Sequence, residues 1–171
     1  MVLALLVLAG RAALADEPDQ VLITYQATVG ARQIAGASRS LHWSATQLAA
    51  GTQVQLRVPI DSFDSGHPGF DSLLRTALQS DRYPFAEVEG VVQGNRFEGT
   101  ITLRGVSRPL RLQLETVRTG MQVVVSTTFA IDLVEFGVSL PSVGRTVAVE
   151  FLVRLSAQPQ AVVAGGELSP N

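Results

Sequence analysis

Apolar and polar residues alternate along most of the chain from Val21 onward, and a period of two is the period of a β-strand. The first such segment places Val21, Ile23 and Tyr25 on one face, and Val147, Val149 and Phe151 do the same near the end of the chain. The pattern predicts about eight strands, over residues 21–29, 36–43, 54–60, 86–93, 97–104, 110–115, 121–133 and 147–155.

Short turn sequences rich in Gly, Asn or Pro separate these segments, as at residues 93–95 and 105–109. Long strands joined by short turns pair antiparallel, with one face buried and the other in water. Closing such a sheet on itself hides its edges. The sequence therefore predicts an all-β fold, an antiparallel eight-stranded barrel whose interior is either filled by side chains or holds one small ligand.

One stretch, residues 61–84, departs from the strand period. Asp71 or Ser72 is placed to cap a short helix with four apolar residues on one side, and Pro84 requires the helix to have ended. The apolar residues of that helix are Leu73, Leu74, Ala77 and Leu78. We expect one short helical insertion here, which acts as a lid, a plug or a packing appendage of the barrel.

Composition narrows the possible chemistry. The chain of 171 residues has no Cys, so disulfides, thiolate nucleophiles and Cys-based metal centres are excluded. All 13 basic residues are Arg, which removes lysine-based covalent catalysis. The net charge of -2 argues against a nucleic-acid-binding protein, because those are usually strongly basic.

The two ends of the chain differ from its body. Residues 2–9 form a short apolar run, and Ala13 and Ala15 make an A-x-A site before Asp16, which is the pattern of an export signal. We expect a signal peptide at residues 1–15 with cleavage after Ala15, a barrel domain at 16–157 and a flexible tail at 158–171, which is rich in Ala, Gly and Pro. The expected location is the periplasm or the exterior of the cell, without stable membrane insertion, because the apolar run is too short to span a bilayer.

Three segments together resemble the YceI-like family of exported lipocalin-like barrels. The first runs from V-P-I-D-S-F-D-S-G at residues 58–66 through F-D-S-L-L at 70–74 to Y-P at 83–84. The second is G-T-I-T-L-R-G-V-S-R-P-L at residues 99–110, where Arg104 stands at a position that is commonly His in the family. The third is T-F-A-I-D at residues 128–132, followed by Phe136 and Gly137.

The resemblance implies a lipocalin-like antiparallel barrel with an apolar tunnel that binds a long isoprenoid lipid, such as a polyprenyl chain or the tail of a quinone, in the periplasm. It implies no cofactor and no catalytic residue. We expect the segment at residues 61–84 to form part of the mouth of the tunnel. The candidate lining residues at the mouth are Phe63, Phe70, Leu74 and Leu78, and the deeper ones are Phe85, Phe129, Ile131 and Phe136.

Two other classes of function stay open on the residues alone. The same side chains are able to fill the barrel completely, which would leave a non-catalytic structural or interaction module. His67 lies among Asp61, Asp64 and Asp71, a set compatible with a hydrolase or a metal-dependent enzyme. Asp and Ser in a Gly- and Pro-containing loop more often form turns and helix caps, and we favour that interpretation, with no metal site.

Overall fold

The structure is a computed structural model that describes residues 20–140 and 142–156. The predicted signal peptide and the predicted tail lie outside these residues. The described chain contains ten strands, one α-helix and two short 3-10 helices. The strands are β1 Gln20–Val29, β2 Arg32–Ser38, β3 His42–Leu48, β4 Gly51–Pro59, β5 Phe85–Gln93, β6 Arg96–Leu103, β7 Val106–Gln113, β8 Glu115–Thr119, β9 Gln122–Asp132 and β10 Val143–Ser156. The helix α1 is Pro68–Leu78, and the 3-10 helices are Ile60–Ser62 and Leu133–Phe136.

The strands form two antiparallel sheets of five. The first sheet has the order β2-β1-β10-β9-β8, and the second has the order β3-β4-β5-β6-β7. Central strand β10 pairs with β1 and β9, and central strand β5 pairs with β4 and β6. The prediction of an all-β antiparallel fold with a short helical insertion is confirmed.

The predicted eight-stranded closed barrel is not what the structure shows. Among the described residues the two sheets are separate in their pairing, and the strand count is ten. The two additional strands arise where the chain bends and passes from one sheet to the other. The chain leaves β2 in the first sheet and reaches β3 in the second through residues 39–41, and it passes from β7 to β8 through Leu114. The strand predicted at residues 36–43 spans the first of these bends, and the strand predicted at residues 110–115 spans the second. No Gly or Pro marks either bend in the sequence.

The turns divide the molecule into two ends. One end, called the helical end below, carries α1, both 3-10 helices and the turns after β1, β6 and β9. The other end carries the tight turns after β3, β5 and β8. The buried core cluster lies towards the helical end and combines residues of both sheets with α1; it contains Tyr25, Ala27, Ile60, Phe70, Leu78, Ile101, Leu103, Leu133, Phe136, Val138 and Val147.

Helix α1 begins earlier than predicted. His67 occupies the N-cap position and Pro68 the first turn, where a missing backbone N–H has no cost. Asp71 is therefore inside the first turn, and neither Asp71 nor Ser72 is the cap. The carboxylate of Asp71 accepts hydrogen bonds from the backbone N–H and the hydroxyl of Ser65, at 3.2 and 2.6 Å, so it ties the preceding loop to the helix.

Candidate ligand-binding interior

The inner faces of the two sheets are apolar. In the second sheet Val88 pairs with Leu56 on one side and with Ile101 on the other, which places the three side chains on one face. In the first sheet Val149 pairs with Tyr25 and Phe129 in the same way. Residues of both rows pack against the same core cluster, so these two faces point towards each other across the interior.

The interior is closed at the helical end. Phe70 and Leu78 of α1 are buried there, together with Leu133 and Phe136 of the second 3-10 helix. Ile60 is buried beside them, at an exposed fraction of 3%. These side chains cover the ends of both sheets, so this end of the molecule is packed like an ordinary protein core.

The middle of the interior is packed less tightly than the helical end. Val88 lies on the central strand of one sheet and Val149 on the central strand of the other, where a filled two-layer core is normally most buried. Both side chains are nevertheless only partly buried, as are Leu56, Leu110 and Phe129. These inner-face side chains are therefore not fully covered by the protein itself, and the apolar surface that they leave exposed is the feature that a ligand would occupy.

A pair of glycines on the inner face of the second sheet lies beneath the ring of Phe97. Gly90 and Gly99 are paired directly opposite each other on β5 and β6. A Cβ atom at Gly99 would lie 2.1 Å from the backbone oxygen of Glu89 and 2.8 Å from the ring of Phe97. The Phe97 ring thus covers the glycine pair, and a side chain at either glycine has no room.

Tyr25 is the most prominent buried polar group facing this interior. Its ring packs edge-on against Phe63, with 5.5 Å between the ring centroids, and lies close over Gly36. Its hydroxyl is buried and has no hydrogen-bond partner within the described part of the chain. Burial raises the pKa of Tyr25 to about 12, and the negative charge of Asp71 contributes to the rise. The hydroxyl is therefore neutral and a potential donor.

The structure brings most of the predicted lining residues together. Phe70, Leu78 and Phe136 are buried members of the core cluster. The partly buried residues that pack against this cluster include Phe63, Leu74, Phe129 and Ile131. Sequence reasoning left out Val88 and Val149 as lining candidates, although the alternation in β5 and β10 places both on the inner face.

Phe85 lies apart from the other predicted lining residues. It is on the outer face of the second sheet, where the Arg57 guanidinium stacks 4.2 Å from the centre of its ring. His42 meets the same ring edge-on, with centroids 5.9 Å apart. Phe85 lies two residues before Glu87 on β5, so both side chains point to the same face of the sheet. Glu87 is on the outer face, where its carboxylate oxygen Oε1 lies 2.9 Å from Nε of Arg57. Phe85 also lines a surface pocket of about 160 Å³ on this outer face.

The loop around His67 forms turns. The carboxylate of Asp64 accepts a hydrogen bond from the backbone N–H of Gly66 at 2.7 Å, which is an Asx turn. The Nδ1 atom of His67 lies 2.9 Å from the carbonyl oxygen of Ser65. Within residues 20–140 and 142–156, no group of three or more His, Asp or Glu side chains is placed to hold a metal ion.

No helix in the described part of the chain combines the length and the hydrophobicity that crossing a bilayer requires.

Comparison with known proteins adds a family and a set of similar folds. The model of the YceI-like domain matches residues 19–155. No curated protein matches the chain in sequence.

Three solved structures illustrate the similarity of fold. Burkholderia cenocepacia BcnA superimposes with a TM-score of 0.67 at 15% identity, over 80% of this chain and 96% of that one. A polyisoprenoid binding domain from Saccharophagus degradans, implicated in plant cell wall breakdown, gives 0.66 at 17% identity, over 82% and 97%. The Campylobacter jejuni YCEI protein gives 0.60 at 14% identity, over 72% and 85%. At these identities the comparisons establish the fold.

Proposed function

Because the chain belongs to the YceI-like domain family, we propose that it binds one apolar lipid of the isoprenoid type between its two sheets. The observation that carries the proposal is the accessible apolar surface around Val88 and Val149, on the central strands of opposite sheets. The similarity of fold to a polyisoprenoid binding domain supports the choice of lipid class. A polyprenyl chain and the tail of a quinone both meet this description.

The energetics favour a long chain. Burial of one five-carbon isoprene unit contributes about 3–4 kcal/mol, at roughly 0.8 kcal/mol per carbon. Association costs of order 4–15 kcal/mol, so several buried units are needed before binding becomes favourable. An apolar wall offers few hydrogen bonds to the ligand, and we therefore expect affinity to grow with chain length.

The proposed mechanism is passive binding without catalysis. Tyr25 is the buried polar group that we place nearest the apolar wall, and its raised pKa of about 12 keeps it neutral rather than nucleophilic at ordinary pH. In the loop around His67, the Asp64 carboxylate and the His67 ring make hydrogen bonds to the backbone of the same loop. Sequestration or carriage of a lipid needs neither a metal nor a nucleophile, and it suits an interior in which aliphatic and aromatic side chains of both sheets form one core cluster.

We propose further that the protein acts after export, in the periplasm or outside the cell. The support is the apolar run at residues 2–9 and the A-x-A site that ends at Ala15. Fractionation of the native cells followed by N-terminal sequencing tests this. A periplasmic or secreted protein beginning at Asp16 agrees with the proposal, and a cytoplasmic protein that retains residues 1–15 contradicts it.

The binding proposal is tested by extraction of protein purified from its own cells with organic solvent and analysis by mass spectrometry. We expect an isoprenoid lipid in nearly one-to-one yield. Val88→Trp should lower that yield because the new side chain takes up interior space, whereas Glu89→Trp, on the outer face of the same strand, should not. Leu110→Phe is a milder interior variant for the case that Val88→Trp does not fold. Repeated empty preparations of the wild-type protein would overturn the proposal.

A further inference from the structure

A concave site lies on the outer face of the second sheet, towards the helical end. It is the surface pocket of about 160 Å³ that Phe85 lines, called the outer pocket below. Its wall also includes Arg57 of β4, Arg82 and Tyr83 from the segment between α1 and β5, and Gly105 in the turn after β6. Because Arg57 and Phe85 face away from the interior, the outer pocket is separate from the proposed lipid site.

One wall of the outer pocket is a direct contact between a ring and a turn. Gly105 has a left-handed backbone, with a φ of 73°, and a Cβ atom there would lie 2.7 Å from Cε1 of Tyr83. The Tyr83 ring therefore rests on the turn itself, an approach that glycine permits. Thr102 lines the pocket from β6, and its hydroxyl is hydrogen-bonded to that of Ser107, at 2.7 Å. The pocket is thus built on strands and a tight turn rather than on a long loop.

Two guanidinium groups line the outer pocket, and each stacks on an aromatic ring. Arg57 lies 4.2 Å from the ring centroid of Phe85, and Arg82 lies 5.2 Å from the ring centroid of Tyr83. The Nε atom of Arg57 also donates a hydrogen bond to Oε1 of Glu87, at 2.9 Å. Because these contacts orient the two guanidinium planes in the free protein, an anion that binds them costs less conformational entropy.

Both guanidinium groups keep donors for an outside partner. Arg57 is exposed, and its hydrogen bond to Glu87 uses Nε rather than the two terminal nitrogens. Arg82 is exposed and belongs to no ion pair within the described chain. Two arginines and one glutamate line the pocket, so its net charge is +1. This arrangement is complementary to a carboxylate, which accepts paired, charge-assisted hydrogen bonds from a guanidinium.

The size of the outer pocket suits one side chain of a larger partner. Sites for small-molecule ligands usually measure about 300–1,000 Å³ and bury most of the ligand. The outer pocket measures about 160 Å³, and Arg57, Arg82 and Pro84 on its wall are exposed. A protein partner meets both conditions, because it inserts a single acidic side chain while its other residues cover the surrounding surface. Arg and Tyr are also among the residues that contribute most to protein–protein binding.

We propose that the outer pocket is a docking site for an acidic segment of a partner protein, which inserts a Glu or Asp carboxylate to bind Arg57 and Arg82. The inference does not depend on lipid binding, because the pocket lies on the opposite face of the sheet from the interior. The carbonyl oxygen of Pro84 accepts a hydrogen bond from the backbone N–H of Ile60, at 2.9 Å. A partner bound here therefore lies beside the segment that covers the helical end of the interior.

The test compares two peptides that differ in charge alone, acetyl-Gly-Glu-Gly-Glu-Gly-Glu-amide and the same peptide with Gln in place of Glu. Binding to the protein is followed by NMR of the backbone amides. We expect the Glu peptide to give saturable shifts at Tyr83, Thr102 and Gly105. At low salt it should bind at least about tenfold more tightly than the Gln peptide, and the difference should shrink as salt is raised. Arg57→Gln and Arg82→Gln should each weaken binding of the Glu peptide at least about fivefold.

Two variants separate the outer pocket from surface charge in general. Arg111 is on the outer face of the same sheet, 3.9 Å from Glu98, and does not line the pocket. Arg111→Gln should therefore leave the affinity unchanged. Arg57→Lys keeps the charge but loses the planar donor group, and it should weaken binding as Arg57→Gln does.

Three results would overturn the proposal. The first is equal binding of the two peptides or absence of binding by both. The second is a loss of affinity in Arg111→Gln as large as in Arg57→Gln and Arg82→Gln. The third is binding of sodium acetate at the same amides with the affinity of the Glu peptide, which would show a site for small free anions instead of a protein partner.

Discussion

At the scale of single residues, two features of the interior stand out. One is a pair of glycines beneath an aromatic ring, and the other is a buried tyrosine hydroxyl. Gly90 and Gly99 let β5 and β6 accommodate the Phe97 ring, and the ring in turn shapes the floor of the interior. Tyr25 buries a hydroxyl close to the Asp71 carboxylate, and this hydroxyl has no hydrogen-bond partner among the described residues. Each of these features has a measurable consequence for stability.

Gly99→Ala is expected to destabilise the protein by about 2–3 kcal/mol, because overpacking of a rigid core costs of this order. The added methyl group would meet the backbone oxygen of Glu89 at 2.1 Å, and backbone atoms cannot rotate away. Urea unfolding measures the change. Thr100→Ala, on the outer face of the same strand, should stay within about 0.5 kcal/mol of the wild type. Equal stability of Gly99→Ala and the wild type would refute the close approach.

Tyr25→Phe is expected to raise the free energy of unfolding by about 1 kcal/mol at pH 7, because it removes a buried hydroxyl that lacks a partner among residues 20–140 and 142–156. The advantage should grow at high pH. Between the ordinary pKa of 10.0 and the folded value of about 12, the unfolded wild-type chain loses the Tyr25 proton while the folded chain keeps it, so unfolding is favoured.

Denaturant unfolding of both proteins from pH 8 to 12 tests this sign. The difference should increase above pH 10 and approach about 2–3 kcal/mol more than at neutral pH, since each unit of pKa shift corresponds to about 1.4 kcal/mol. A difference that stays constant over the range would show that Tyr25 titrates normally in the folded protein.

At the scale of elements, α1 closes the helical end of the interior. Leu78 is buried at the last turn of the helix, whereas Leu73, on the opposite side, is 39% exposed. Leu78→Ala should therefore cost about 2–5 kcal/mol through lost burial and the cavity left behind. Leu73→Ala should change the stability by no more than about 0.5 kcal/mol. Thermal unfolding of the two variants measures the contrast, and similar losses would contradict the described packing of α1.

The same scale shows what the sequence allowed us to predict. Alternation in β1, β6, β9 and β10 correctly separated their inner and outer faces, because a strand carries that information locally. It failed at residues 39–41 and at Leu114, where the chain changes sheets although no Gly or Pro interrupts the pattern. Phe85 was assigned by its hydrophobicity, although its spacing from Glu87 placed it on the outer face. The order of the strands in each sheet depends on pairing between distant segments, which local patterns do not specify.

At the scale of the whole molecule, the two sheets enclose an apolar interior. This interior is fully packed at the helical end, where α1 covers it, and its side chains are only partly buried in the middle of the sheets. The inner faces of the two sheets contribute apolar side chains to one core cluster, as the proposed binding of a lipid requires.

The central claim, that an isoprenoid chain binds between the two sheets, is tested most directly by methyl NMR during titration with geranylgeraniol. The account predicts saturable shifts, at one lipid per chain, in the methyl groups of Val88, Leu110, Ile131 and Val149. The methyl groups of Leu73, Val117 and Val134, which are exposed on the outside, should not move. Shifts confined to those outer methyl groups, or no saturable shift at all, would contradict the account.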